Sequence, residues 1–414
     1  MIKIGSLPRE DKMKKLRVGI LGLGRCGAFI KSLYLNDAVF VATCESKAEM
    51  NYGLKELYGE DFGFYTDFEE FLKHPGGMDV VIIGNFFHEH AHYAIRCLEE
   101  GIHVISECLS NATMAEGVAL VRAAEKSKAM YILGENYQYS TECLEMKKIY
   151  DGGTMGKVLF AEGEYNHGLI SSKEEADKTR TMYLRSFEEH WRNHLPRTYY
   201  VQHSLAPLMF VTGSRPVRIS AMAAYNVNGT TGDKMIGPNV KDRAAIMITQ
   251  NDDGSVFRVT GCSGWGSGDN TYRVCCEKGQ LEIMRDDESL LVNYDENYVP
   301  AGKARRNRYF PEPDPTEAEL IEKAGGGHGG SDYRVIVEAL KHIRSGVQHP
   351  LDVYFATTLS SVAILGHRSV LNNGQPYDIP DFTKEEDRLK YENDYETPFY
   401  GTDGSKPTIP CSKN

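Results

Sequence analysis

Short runs that are apolar at nearly every position mark the first third of the chain, at 16–21, 39–44, 79–84, 103–106 and 130–133. Strands without polar alternation are buried on both faces, the pattern of a parallel sheet covered by helices. Amphipathic stretches follow at 28–34, 88–100 and 114–128. That alternation predicts a doubly wound parallel α/β sheet over residues 1–140. Beyond residue 150 the texture changes. Segments 158–165, 217–223, 244–249, 256–260, 272–275 and 279–283 alternate in part and are separated by turn signals such as Asn251-Asp-Asp-Gly254. They predict an α+β second domain over 141–383, built on a mostly antiparallel sheet. Such a sheet leaves one face to solvent, so a homo-oligomer, a dimer or larger, is expected.

Residues 284–330 read as loop, with Pro311-Glu-Pro-Asp-Pro315 and Gly325-Gly-Gly-His-Gly-Gly330. Helical spacing resumes at 332–345 and 352–371. The stretch 384–414 is charged, tyrosine-rich and broken by prolines. It reads as a tail that either wraps a neighbouring subunit or stays disordered.

A chain of 414 residues can hold two cores. Its net charge of −11 argues against nucleic acid and anionic membrane as partners. No apolar run approaches the roughly 20 residues of a membrane span, and the opening residues lack a signal peptide's apolar stretch. Nine cysteines without repeating spacing read as reduced thiols of a cytoplasmic protein.

The first apolar run enters Gly22-x-Gly24-Arg25-Cys26-Gly27, and a helix pattern starts at once. In such a loop the first glycine makes a tight turn, the second admits a pyrophosphate and the third lets helix and strand pack closely. The second run ends at Glu45, eighteen residues past Gly27, where a carboxylate meets the adenosine ribose and repels a 2′-phosphate. The expected cofactor is NAD. His88-Glu-His-Ala-His92 satisfies H-E-x-x-H. It follows directly on a strand and its turn, so it reads as the opening of a crossover helix, and no metal site is assigned.

Gly22-x-Gly24-x-x-Gly27, Glu45, Gly84-Asn85-Phe-Phe-His88, Gly101-Ile-His-Val-Ile-Ser-Glu107 and Gly134-Glu135-Asn136 together resemble the glucose–fructose oxidoreductase/inositol dehydrogenase (Gfo/Idh/MocA) family. The resemblance implies a Rossmann domain, a nicotinamide cofactor and a sugar hydroxyl as substrate. Two positions depart from the family's usual motifs. Glu107-Cys108-Leu109 stands for Glu-Lys-Pro, and Tyr199-Tyr200-Val-Gln-His203 for Asp-x-x-x-His. Glu135-Asn-Tyr-Gln-Tyr139, Glu164-Tyr-Asn-His167, Trp191-Arg192, Tyr200-x-x-His203 and His328-Gly-Gly-Ser-Asp332 resemble more closely the NAD-dependent glycosidase branch, including relatives that form 3-keto-glycosides.

That resemblance implies oxidation of a sugar hydroxyl, at C3 of a glucoside or related glycoside, with tightly held NAD. His203 is the expected base, since an imidazole is largely neutral at pH 7, with Tyr200 beside it. Tyr139 is the expected second base by resemblance. Asn85, His88, Glu107, Cys108 and Asn136 are expected at the cofactor, and Glu135, His167, Trp191, Arg192, His328 and Asp332 at the sugar. A redox-neutral glycosidase is the alternative. A non-catalytic NAD-binding sensor is a third reading.

Overall fold

The computed structural model describes residues 15–413 apart from 52, 168–188, 226–235, 238, 265–268 and 402. Strands β1 (Leu16–Leu21), β2 (Ala38–Cys44), β3 (Gly63–Tyr65), β4 (Val80–Ile83), β5 (His103–Ser106) and β6 (Tyr131–Leu133) form one parallel sheet in the order β3-β2-β1-β4-β5-β6. The order reverses between β1 and β4. In such sheets a crevice opens at the carboxyl ends of the strands at that switch point. Val80, Val81, Ile82 and Ile83 are all fully buried, as their unbroken apolar run requires.

The second sheet has nine strands: β7 (Val158–Asn166), β8 (Pro216–Tyr225), β9 (Asp242–Asn251), β10 (Val256–Thr260), β11 (Asp269–Cys276), β12 (Gly279–Ile283), β13 (Leu290–Tyr294), β14 (Arg306–Tyr309) and β15 (Tyr377–Asp378). Their order is β14-β13-β12-β11-β7-β10-β9-β8-β15, with β7 and β10 the single parallel pair. The helix Gln202–Thr212 lies against its inner face. A Cβ on Gly163 of β7 would fall 2.0 Å from the Ser204 carbonyl oxygen, so only glycine lets this helix sit so close. Tyr272 on β11 donates its hydroxyl to the His203 carbonyl.

Segment 284–330, expected as loop, holds β13, β14 and the helix Pro315–Ala324. Arg306-Asn-Arg-Tyr309 is a polar edge strand with no apolar alternation to reveal it. The helix carries its own signal, an Asp314 cap accepting from Thr316 N and Glu317 N with Pro315 in the first turn. The helix Ser331–Ser345 returns to the first sheet, where Ile336, Ala339, Leu340 and Ile343 join Val18, Ile20, Phe29 and Leu33 in one cluster. The C-terminal stretch forms the helix Glu385–Tyr391 and then packs along its own chain, through the Arg368–Asp394 pair among others. No helix among the described residues is long and apolar enough to cross a membrane.

Candidate active site

Gly22 opens the loop after β1 with φ 87°, and a Cβ there would fall 2.8 Å from the Asn85 nitrogen and the Gly84 oxygen. Glycine is therefore required at this turn. A Cβ on Gly24 or on Gly27 would meet nothing within 4 Å. Open space lies beside both, as a bound pyrophosphate needs. The close packing expected at Gly27 occurs instead at Gly84, whose Cβ would fall 2.2 Å from Cys26 Sγ. Cys26 is fully buried beneath the loop, so its backbone but not its thiol is available to a cofactor.

Glu45 ends β2 and accepts from Leu23 N at 2.5 Å. Burial pushes its carboxyl up. After β4, Asn85 donates to Glu89 at 2.8 Å while its Oδ1 is buried without a partner. His88 lies between the Phe86 and Phe399 rings with Nδ1 likewise unsatisfied, and burial brings its imidazole down to about 4. Unpaired polar atoms beside a glycine loop with open space fit a dinucleotide. Glu45, the 22–27 backbone and Asn85 would hold it.

Arg25, expected with Cys26 at the cofactor, pairs with protein carboxylates. Its guanidinium makes a two-pronged pair with Asp332, at 2.9 and 2.6 Å, and its Nε stands 3.0 Å from Glu107 Oε1 in an ion pair not aligned as a hydrogen bond. Asp332 also accepts from Asn136 Nδ2 at 3.0 Å and lies 2.9 Å from His328 Nδ1. Burial acts to raise it, yet the hydrogen bonds and charges of His328 and Arg25 hold it well below the usual carboxylate range. Asp332 and His328, expected at the sugar, thus join Arg25 and Asn136 in one charged node. Glu107 lies at its edge, and burial pushes its carboxyl up.

His203 sits at the start of the helix Gln202–Thr212. Its Nδ1 is 2.8 Å from Glu135 Oε1, and Glu135 is fully buried. Glu135 Oε1 also accepts from Tyr137 N at 3.1 Å, and Oε2 from the Cys108 thiol at 3.0 Å. Burial alone would raise the Glu135 carboxyl. The facing His203 and these hydrogen bonds outweigh it and hold the group below its ordinary value. A carboxylate there fixes the proton on Nδ1 and leaves Nε2 as the basic nitrogen. Burial and the two neighbouring carboxylates push the Cys108 thiol well up, so it is a hydrogen-bond donor and no base. Glu135, expected at the sugar, faces His203 Nδ1 from a fully buried position.

Three tyrosine rings surround His203: Tyr137 at 4.5 Å, Tyr165 at 4.6 Å and Tyr200 at 5.2 Å between centroids. Tyr139 is not among them. Its hydroxyl is 3.2 Å from buried His349 and its ring packs on Phe210. The turn Tyr137–Tyr139 is 3₁₀, with about 120° per residue, so these two side chains point to different sides. Tyr165 lies beside His203 with its hydroxyl 2.7 Å from His167 Nε2. Neither Tyr137 nor Tyr165 carries a local sequence signal beyond turn or strand. Trp191 stacks on Phe87 at 5.1 Å, and the Arg192 guanidinium lies 4.3 Å over the indole. Among the described residues no group of three His, Cys, Asp or Glu is placed to hold a metal ion.

Residues 16–135 match the oxidoreductase family with an NAD-binding Rossmann fold (GFO_IDH_MocA), and residues 317–388 match the glycosyl hydrolase 109 C-terminal domain. A glycosyl hydrolase family 109 protein of Saccharopolyspora erythraea is 27% identical, over 95% of this chain and 87% of its own length. Glycosyl hydrolase family 109 protein 1 of Bacteroides fragilis is 26% identical, over 90% and 86%. Among solved structures, levoglucosan dehydrogenase in complex with NADH and L-sorbose superposes with a TM-score of 0.70 at 17% identity, over 89% of this chain and all of that one. An oxidoreductase domain protein from Kribbella flavida gives 0.71 at 18% identity over the same shares. The chain therefore joins a segment that matches the oxidoreductase-family NAD-binding Rossmann model to one that matches the glycosyl hydrolase 109 C-terminal domain.

Proposed function

We propose that this enzyme oxidises a secondary hydroxyl of a glycoside, at C3 of a glucoside or related sugar, to a 3-keto-glycoside. The observation that carries the reading is the buried Glu135–His203 pair at 2.8 Å, ringed by tyrosines. NAD held in the crevice supplies a hydride acceptor. His203 Nε2 takes the hydroxyl proton, and Glu135 stabilises the imidazolium that forms. Tyr137, Tyr165 and Tyr200 keep water from the imidazole. The Trp191–Arg192 stack, backed by Phe87, would meet the sugar through its guanidinium side.

A second observation favours going further. A ketone at C3 acidifies the neighbouring C2–H, and the Tyr165–His167 pair stands beside His203. Burial pushes the Tyr165 hydroxyl well up, so it works as a protonated relay with His167 receiving the proton. Loss of that proton expels the aglycone from C1. Water then adds across C1–C2 and the ketone is reduced again, a redox-neutral cleavage in keeping with the glycosyl hydrolase 109 segment at 317–388.

Incubation with a glycoside panel tests both readings. Reduced-nicotinamide absorbance with a ketone product supports oxidation. Aglycone release and deuterium uptake at C2 in heavy water, without net cofactor change, support cleavage. NAD binding with neither outcome would return the protein to the sensor reading. We further propose that copies pair through the open face of the second sheet. There Met222 and Ile248 are exposed beside the alternating charges Glu162, Arg258, Glu164 and Arg273.

A further inference from the structure

The C-terminal stretch, an open question in the sequence, runs across both sheets' territory. On the first-sheet side Ala115 N donates to the Asp394 carbonyl at 3.0 Å, and Arg122 donates to Glu392 at 2.9 Å. On the second-sheet side Arg368 makes a two-pronged pair with Asp394, both bonds 2.6 Å. Farther along, His367 Nε2 donates to the Pro410 carbonyl at 2.8 Å, and Ser412 donates to Asp242 at 2.6 Å. Between these anchors lie Phe399 and Tyr400. Phe399 is 1% exposed. Chain termini ordinarily fray unless tied down, so a fully enclosed ring in this stretch marks a packed contact.

Phe399 meets the candidate site from behind. Its centroid is 5.9 Å from Phe87, 5.3 Å from His88 and 5.3 Å from Tyr199, with edge-on geometry to Phe87 and Tyr199 and a tilted stack on His88. Phe87 in turn stacks almost parallel on Trp191, with 5° between the planes. Trp191 carries the Arg192 guanidinium on its ring. Tyr400 adds an edge contact to His194 at 5.1 Å, two residues past Arg192. These rings form a layered stack beside the candidate site, and one layer of it comes from the last part of the chain.

We propose that Phe399 is a positioning residue for the substrate wall, fixing Phe87 and through it the Trp191 indole and Arg192 guanidinium. Its catalytic consequence rests on the sugar-binding role assigned above to Trp191 and Arg192. Its structural consequence does not. Removing the ring leaves a void behind Phe87 that close-packed neighbours fill only in part, so the indole gains freedom while the Glu135–His203 pair keeps its own supports. The loss therefore falls on sugar affinity more than on turnover.

The chain has two tryptophans, so a Trp265→Phe background leaves Trp191 as the single indole reporter. In that background Phe399→Ala is expected to shift the emission to the red and raise acrylamide quenching at least twofold, without sugar or NAD present. KM for a turned-over glycoside should rise tenfold or more, with kcat changing less than threefold. Phe399→Leu, which keeps most of the volume, should restore most of both signals, and it serves as the test variant if the alanine form does not fold. Unchanged Trp191 emission in a folded Phe399 variant would overturn the proposal, as would a fall in kcat with KM unmoved. A parent protein that turns over no sugar while the variant's emission still shifts would remove the catalytic reading and leave the packing role standing.

Discussion

Replacing Glu135 by glutamine keeps the shape of the site and removes one buried charge. In the native arrangement Glu135 Oε1 accepts from His203 Nδ1 at 2.8 Å, and the carboxylate has no exposed surface. Two magnitudes bracket the loss. A hydrogen bond to a charged group is worth about 1 kcal/mol more than a neutral one. The Coulomb attraction between a carboxylate and an imidazolium about 4 Å apart is about 4 kcal/mol at an effective dielectric near 20. A loss of about 1 to 4 kcal/mol in the transition state lowers kcat by roughly five- to a thousand-fold. The assay is kcat and KM for Glu135→Gln and the parent, with NAD binding followed separately by fluorescence. A Glu135→Gln enzyme with kcat within twofold of the parent would refute the assignment of His203 as a base oriented by Glu135. Cys108→Ala is the companion variant. It removes only the 3.0 Å thiol donor on the opposite oxygen, so its effect should be much smaller.

Three further outcomes follow from other parts of the molecule. Gly24→Val places a branched side chain where an added Cβ meets no protein atom, so thermal melting should hold while NAD binding by titration is lost. His367 is buried, and its folded value is lowered to about 4 from 6.5. As pH falls through that window the unfolded chain takes up the proton first, so this group's contribution to stability is present above 6.5 and lost on the way down to 4. His367→Gln should reduce the slope of unfolding free energy against pH there by one proton, about 1.4 kcal/mol per pH unit, as read by denaturant melts across the window. Ile248→Glu puts a charge on the exposed part of the second sheet's open face, and sedimentation velocity should show a shift to monomer. An unchanged sedimentation profile would place the oligomer contact elsewhere.

The parallel sheet was legible because its strands are buried on both faces and so carry an uninterrupted apolar signal. The glycine loop and Glu45 were legible for a related reason: a tight turn, open space beside Gly24 and a carboxylate at the end of β2 each demand a particular residue type at a fixed distance along the chain. Where the demand is tertiary, the signal disappears. Arg306-Asn-Arg-Tyr309 pairs with β13 at an edge that solvent shares, so nothing in its polarity marks a strand. Tyr137 and Tyr165 come from a 3₁₀ turn and a β-strand, and only the fold brings both rings onto His203. Phe399 stands in a charged, proline-broken stretch whose helical spacing has already ended, and its burial depends on a crevice made by Phe87, His88 and Tyr199.

The two departures from the usual family motifs belong to one rearrangement. At 199, where an aspartate four residues before His203 is usual, Tyr199 is fully buried with its hydroxyl donating to the Ala112 carbonyl at 3.2 Å and its ring against Phe399. It has become part of the packing that carries the C-terminal stretch, and no acid remains there to orient the imidazole. At 108, where a lysine is usual, the thiol donates to Glu135 at 3.0 Å. A lysine there would place an ammonium beside the Glu135 carboxylate and compete with His203 for it. A neutral donor satisfies Oε2 without drawing off the charge, so the full carboxylate faces Nδ1 of His203. The acid that faces His203 here comes from the loop after β6, and a neutral donor at 108 leaves its charge undivided. A Cys108→Lys variant should then lower kcat, and a rise in kcat would show that a lysine there does not compete with His203 for Glu135.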